Sequence, residues 1–415
     1  MPFTKAYCPV CHDKDGNVMV QLEMHAAMDD LGLTKMDFLG LKTLDVVDDA
    51  LHSANLTWDD VNIDHLNLDD QAVYSQVYQP GNTIGIFQME SYEARRMCID
   101  SKADDVENIV VVNAANRPGT KDSFPEYCRN KLYPEQETPI HPDLSKMFKA
   151  SHGILLYQEQ ALQVFRYAGF PEEEVDNARR AIGKKKEDVM KALEVDLRKG
   201  LIAKGWSTEQ CGAIWDLLLK QASYSFNRSH AVAYGLLSYL TAYLKVHYPV
   251  EFISACLTND SDNVSKISVF INEAKRIGIK VLPPHINKSG KYFTPIAENN
   301  EILFGLLAVK GIGESIVNQI IENRPYKNLK DFVSKIKGKT AVVQLIKAGA
   351  IPGKNKMQTL QRYAEMCYVP TAYKEVSTLP TKAKLLLDWD INQDDYKEGK
   401  KVSYEMIGKW IEENS

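Results

Sequence analysis

The sequence predicts a mixed α/β chain that is predominantly α-helical. Apolar residues recur at helical spacing over Leu155–Tyr167, Pro171–Arg180, Lys185–Ala203, Thr208–Leu219 and Ser229–His247. Strand-like runs are short and lie only near the two ends of this helical block. Paired prolines in Val281-Leu-Pro-Pro-His285 cannot continue a helix, so they close the helical block and open a further domain.

Near the start, Asn17–Leu22 alternates like a strand after the turn signal Asp13-Lys-Asp-Gly16. Leu31-Gly-Leu33 breaks the pattern, and Lys35–Leu39 reads as a short buried strand. A short helix is expected over Ser91–Cys98. Pro171 followed by Glu172-Glu-Glu174 starts a helix, with acids at the positive end of its dipole. Pro249 ends the longest helix and opens another over Val250–Leu257. Lys291–Thr294 and Ile302–Phe304 read as strands. Pro352-Gly353 is a turn before a polar tail. No internal repeat or low-complexity segment interrupts the chain.

Length and charge narrow the class. A chain of 415 residues builds two or three domains. Its formal net charge of −5 rules out a globally basic protein, so any nucleic-acid contact rests on local clusters. Seven scattered cysteines suit free thiols in a reducing compartment. No apolar run is long enough to span a bilayer, and the first residues do not open a signal peptide. A cytoplasmic protein without a membrane partner is the expectation.

Five clusters carry candidate chemistry. Arg179, Arg180 and Lys184 to Lys186 surround Gly183 with cations that suit a polyphosphate; a solvated helix end is the competing reading. Asn227, Arg228, Ser229 and His230 open the longest helix. Ser229 serves there as an N-cap with Asn227 in the preceding turn, or the four groups hold phosphate; both roles are compatible. Asp37 in an apolar run suggests a metal or a basic neighbour, against outward alternation on an edge strand. Lys310-Gly-Ile-Gly-Glu314 between apolar runs has the form of a helix-hairpin-helix, which offers backbone N–H groups to a DNA phosphate; a hairpin kept for packing is the alternative. Cys8-Pro-Val-Cys11-His12 offers soft ligands, but a structural zinc wants four and no second Cys-x-x-Cys exists, so an unmetallated turn is favoured.

Seven blocks, in order, give the chain a family resemblance: residues 32–41, 85–91, 116–119, 153–160, 179–186, 226–234 and 245–252. Over about Gly16 to Ala350 the chain resembles the bacterial C-family replicative DNA polymerase, the alpha subunit of DNA polymerase III. The resemblance implies a palm remnant with strands over residues 1–42, helical fingers over 43–284 and a helix-hairpin-helix domain for DNA or clamp over 285–350. It assigns no role to residues 351–415. It also implies transfer of dNTPs to a primer 3′ end on a template, through two Mg²⁺ ions held by palm carboxylates. Asp37 matches the third palm aspartate and a metal ligand, with Lys35 beside it. Arg179, Arg180, Lys184, Asn227, Arg228, Ser229 and His230 match positions that meet the incoming nucleotide; Arg228 stands where lysine is usual. Lys310, Gly311 and Gly313 match the DNA-contacting hairpin.

Departures from the pattern set further expectations. The family's upstream Pro-Asp-x-Asp-x-Asp motif does not occur among these residues, and Asp388-Trp-Asp390 has its spacing in the wrong context. Gln358–Tyr363 is a poor match to a sliding-clamp motif. A split polymerase is therefore expected, with a separate chain supplying the rest of the palm and the thumb, in a bacterial or phage-infected cell; a truncated sequence would read the same. This chain alone is expected to be inactive. The alternative function is a non-catalytic DNA-binding or replisome-interaction protein derived from the polymerase.

Overall fold

A computed structural model describes residues 8–36, 40–117, 119–183, 187–221, 226–353 and 355–368. The chain divides into two compact units, Met1–Lys42 and Thr43–Ser415.

The first unit carries a two-stranded antiparallel hairpin, β1 (Val10–His12) and β2 (Val18–Val20), with Cys11 opposite Met19. Its turn is tied by Asp13, whose Oδ1 accepts the N–H groups of Asp15 and Asn17 at 2.9 and 2.8 Å. The strand expected at Lys35–Leu39 is not formed at Lys35 and Met36, which lie on exposed irregular chain. Among the described residues no strand pairs with them, so no ladder forms there. Residues 37–39 lie outside the described residues.

The second unit is mostly helical. Its longer helices are α1 (Lys42–Ser53), α2 (Tyr92–Asp100), α3 (Val106–Ala115), α4 (Phe124–Leu132), α5 (Gln158–Ala168), α6 (Glu172–Gly183), α7 (Glu187–Ile202), α8 (Thr208–Gln221), α9 (Arg228–His247), α10 (Pro249–Asn259) and α11 (Val264–Arg276). Beyond them come α12 (Glu314–Glu322), α13 (Leu329–Lys335), α14 (Lys339–Ala348) and α15 (Lys356–Tyr368). Helix starts are capped as their residue types favour: Ser91, Asp105, Asn263 and Asn328 each accept a backbone N–H from the first turn.

Each expected helix in the central block forms, with one instructive difference. Leu155, Leu156 and Tyr157 do not join α5. They run extended and buried, and Tyr157 forms a parallel bridge with Phe226. Their apolar character fits a buried strand-like segment as well as a helix, and periodicity alone cannot separate the two.

Among the described residues, four hydrophobic clusters hold this unit together. One packs α3 against α9 through Ile109, Val112 and Tyr239, with Tyr74 and Tyr78 beside them. A second joins α5 to α8 through Phe165, Leu197, Leu201 and Trp215. The third places α10 and α11 against a small sheet: Phe252, Ile253 and Phe270 meet Ile279, Phe293 and Ile302. That sheet is β3 (Lys280–Leu282), β4 (Thr294–Ile296) and β5 (Glu301–Leu303), with β5 in the centre, parallel to β3 and antiparallel to β4. The fourth cluster unites α12 to α15 through Val317, Ile320, Phe332, Leu345 and Leu360.

Candidate functional site

The N-terminus of α9 is built by three backbone and side-chain clamps. Phe226 is fixed on both sides by the extended segment: its N–H donates to Leu156 O at 3.1 Å and its carbonyl accepts the Gln158 N–H at 2.9 Å. The next residue, Asn227, is extended, and its Oδ1 accepts the His230 N–H at 2.8 Å. Asn227 is therefore the cap, and Ser229 sits inside the first turn; this corrects the expected placement of the cap on Ser229. Finally, the Glu159 carboxylate accepts the Arg228 N–H through both oxygens, at 3.1 and 2.9 Å, and the Asn227 Nδ2 at 3.0 Å. An acid at that end also meets the positive pole of the helix dipole.

The block Gly153–Gln160 gains a physical meaning here. Gln160 is buried, and its Oε1 accepts the N–H groups of Leu156 and Tyr157 at 2.8 Å each while its amide donates to Ser151 Oγ at 2.5 Å. Gln160 shapes the segment, and Glu159 attaches it to α9. Neither clamping role is visible in the sequence, where only the block itself stands out.

Arg228 turns inward from its helix. Its Nη2 donates to Glu107 Oε1 at 2.7 Å, and the guanidinium lies 5.8 Å from the centre of the Tyr157 ring. Among the described residues, Arg228 Nε, Glu107 Oε2 and the buried Tyr157 hydroxyl have no hydrogen-bond partner. Burial, more than the nearby Glu107, raises the Tyr157 pKa well above the usual phenol value. These groups line a cavity of about 910 Å³, along with Lys149, His152 and Ser229. Burial pushes the His152 pKa down, with Lys131 adding to the effect.

Ser229 and His230 remain exposed at the mouth of α9. On another stripe of the same helix, the rings of Phe226, His230 and Tyr234 follow one another, and Phe87 completes the row. Arg117 sits over the Phe226 ring, 4.1 Å from its centre. Arg117 lies in one of the sequence blocks, but its contact with Phe226 exists only in three dimensions.

The remaining candidate residues lie elsewhere. Arg179 and Arg180 are in the last turns of α6, and their side chains are outside the described residues, as is all of Lys184. Asp37 lies outside them as well, and Lys35 is exposed. Cys8 is buried and Cys11 half-buried in β1 and its approach. Among the described residues no group of three or more His, Cys, Asp or Glu side chains converges to hold a metal. One carboxylate, Asp37, cannot by itself complete the oxygen shells of two hard cations.

The hairpin at Lys310 is formed, but its first arm is a single 3₁₀ turn, Leu306–Ala308, in place of a full helix. Val309 and Ile312 are buried as anchors, while Lys310, Gly311 and Gly313 are exposed at the tip. Gly311 has φ +80°, a value that favours glycine, and Gly313 opens α12. A second hairpin of similar form joins α13 to α14: Ile336 is buried, Lys337 and Gly338 are exposed, and Gly338 opens α14. Its signal in the sequence is Ile336-Lys-Gly-Lys339 before an apolar helical run.

Two stretches of the chain match known protein families. Residues 43–205 match the finger domain of the bacterial DNA polymerase III alpha subunit, and residues 278–359 match a helix-hairpin-helix motif. The DNA polymerase III subunit alpha of Aquifex aeolicus is 40% identical over 356 residues, covering 82% of this chain and 30% of that protein. For the Xylella fastidiosa subunit the identity is 37% over 388 residues, covering 88% and 32%. The Thermus aquaticus subunit is 37% identical over 362 residues, covering 83% and 29%. The chain thus spans about a third of the length of these curated relatives. With its finger region, its helix-hairpin-helix motif and this extent of identity, the chain belongs to the family of the bacterial DNA polymerase III alpha subunit.

Proposed function

We propose that the chain acts as part of a replicative DNA polymerase, holding the incoming dNTP through its finger region and duplex DNA through its hairpins. The observation that supports this most directly is the mouth of α9. Asn227 and Glu159 fix the start of the helix, which leaves the Ser229 hydroxyl and the His230 ring exposed side by side to meet a phosphate. Arg179 and Arg180 supply, in this reading, fixed cations for the charge that builds on the triphosphate during transfer. Lys310, Gly311 and Gly313 meet DNA phosphate without reading sequence.

The metal-bound chemistry belongs to carboxylates that Asp37 joins. The aspartate pair of the family pattern is not among these residues, so in this reading a palm-bearing polypeptide supplies it, together with the thumb. Mg²⁺ would there activate the primer hydroxyl and neutralise developing phosphate charge; the residues of this chain hold and orient the nucleotide. A cytoplasmic site of action and a sliding-clamp partner fit the same reading.

The test is primer extension by this chain mixed with a polypeptide carrying the missing aspartate motif. Extension should require both components. Arg180→Ala should raise the dNTP KM or lower kcat by roughly 10- to 1000-fold, as for loss of one charge-stabilising donor. An inactive mixture, or an unchanged dNTP dependence in the variant, overturns the reading.

A further inference from the structure

A row of partly exposed rings runs along the first two turns of α9. Phe226 meets His230 edge-on with centroids 5.3 Å apart; His230 lies against Tyr234 at 4.0 Å and 30° between planes; Tyr234 meets Phe87 at 5.0 Å. Phe226, Tyr234 and Phe87 are each half-buried, and His230 is exposed. Residues 230 and 234 share a helical stripe by their spacing of four, and Phe226, just ahead of the helix, is brought against His230 by its bridge to Tyr157. This stripe is set apart from the Arg228–Val232 stripe that lines the 910 Å³ cavity.

The row is held in place from outside the helix. Phe226 is fixed by its two backbone hydrogen bonds to Leu156 and Gln158. The Phe87 N–H donates to Thr241 Oγ1 at 3.2 Å. Gln88, the next residue, is exposed and has φ +61°, a backbone value uncommon for a residue other than glycine. At the other end the exposed Arg117 guanidinium covers Phe226, and among the described residues it has no carboxylate partner. Aromatic faces fixed in a row beside a cation and a helix N-terminus match the two halves of a nucleotide: a flat π-system and a phosphate. A packed core would instead bury the rings.

We infer that the Phe87–Tyr234–His230–Phe226 row is a stacking surface for a nucleobase, with Arg117 and the exposed first turn of α9 holding that nucleotide's 5′-phosphate. The inference rests on the polymerase reading for the choice of a nucleotide, and it names where the base lies, which that reading leaves open. The nucleotide is either a free dNTP or one residue of an unpaired strand. The recognising chemistry is the same for both.

Binding to the full chain separates these sources without any catalysis. The probes are dATP, a labelled twelve-residue oligo-dA, and a twelve-residue abasic strand with the same phosphates. The intact protein should bind the base-bearing strand or dATP more tightly than the abasic strand. His230→Ala and Tyr234→Ala should each weaken binding of the base-bearing probe by about 5- to 150-fold, the equivalent of losing one stacked base. Binding of the abasic strand by Tyr234→Ala should stay the same, and Tyr234→Phe should retain affinity. A loss on dATP identifies a free nucleotide; a loss confined to oligo-dA identifies a strand. Equal affinity for base-bearing and abasic strands, or ring variants that bind every probe as before, overturns the inference. Should Tyr234→Ala not fold, the comparison of base-bearing with abasic strand on the intact protein still decides the matter. Primer extension by the reconstituted pair can fail while this binding survives, and the reverse, so the two readings fail separately.

Discussion

Both carboxylate oxygens of Glu159 accept the backbone N–H of Arg228, at 3.1 and 2.9 Å. One acid on α5 thus closes the start of α9, 69 positions later in the chain. It also takes the Asn227 amide, so the cap of the helix is itself held. Phosphate-holding groups on a freely fraying helix end would lose the preorganisation that electrostatic catalysis needs.

Removal of this acid should loosen the helix start. Glu159→Ala leaves the Arg228 N–H and the Asn227 amide to water and should cost about 1–2 kcal/mol, the range for loss of a helix cap. Glu159→Gln keeps an acceptor and gives up the charge, so its cost should be smaller. The midpoint of urea unfolding for the two variants checks the order. Equal midpoints for Glu159→Ala and the unaltered protein would show that the clamp holds nothing.

The buried Lys245–Glu273 pair has a different task. Lys245 Nζ donates to the carbonyls of Asn82 and Ile84 at 2.7 Å each and meets Glu273 Oε1 at 2.6 Å. Arg276 closes the other side of Glu273, at 2.8 and 2.7 Å. The ammonium therefore ties α9 and α11 to the loop that leads into the Gly85–Ser91 block. Lys245→Met should destabilise by about 1–3 kcal/mol, because it leaves two carbonyls without their donor while Glu273 keeps only Arg276. Burial acts to raise the Glu273 pKa, but Arg276 and Lys245 outweigh it and hold the carboxyl below its ordinary 4.5. The unfolded chain then binds this proton more tightly than the folded one. The contribution is present above about pH 4.5 and fades as pH falls through the lower folded value. Glu273→Gln should flatten the acid limb of a stability–pH curve; an unaltered acid limb would count against the assignment.

At the hairpin, conformation and charge can be tested separately. Gly311→Ala places a Cβ at φ +80° and should cost about 1–2 kcal/mol of local stability while keeping every cation. Lys310→Ala keeps the backbone and removes the side chain proposed to meet phosphate. It should lower the dependence of log K on log salt by about 1 and weaken binding alike across DNA sequences. Filter binding of duplex DNA over a salt series measures both. A sequence-dependent loss in Lys310→Ala contradicts a purely phosphate-holding role.

Legibility in the sequence tracks the range of each interaction. The helices of the central block are legible because their apolar spacing is local. Asn227 and Ser229 are both good cap residues, and choosing between them depends on Glu159, which is remote in sequence. Leu155–Tyr157 carry helical spacing, yet Phe226, a residue equally remote, draws them into an extended pairing. The ring row leaves no sequence signal for the same reason: Phe87, Arg117 and Phe226 come from three separate segments, and no periodicity links them. The second hairpin is locally written in Lys337-Gly338-Lys339, but its first arm is too short to display a period.

Two glycines on neighbouring helices should answer the same substitution with opposite signs. On α7, a Cβ at Gly200 would lie 1.9 Å from the carbonyl oxygen of Ala168, at the end of α5. Backbone cannot swing aside as a side chain can, so Gly200→Ala must push α7 off α5. That movement opens the cluster formed by Phe165, Leu197 and Leu201, and it should cost about 1–3 kcal/mol or more. On α8, a Cβ at Gly212 would meet only the Arg198 guanidinium nitrogens, at 3.6 and 3.7 Å, which is ordinary contact. There the lower backbone entropy of alanine prevails, and Gly212→Ala should stabilise by roughly 0.5–1 kcal/mol. Thermal unfolding of the two variants decides the matter. If Gly200→Ala leaves the midpoint unchanged or raises it, the close crossing of α7 over the end of α5 is not the packing that holds this part of the finger region together.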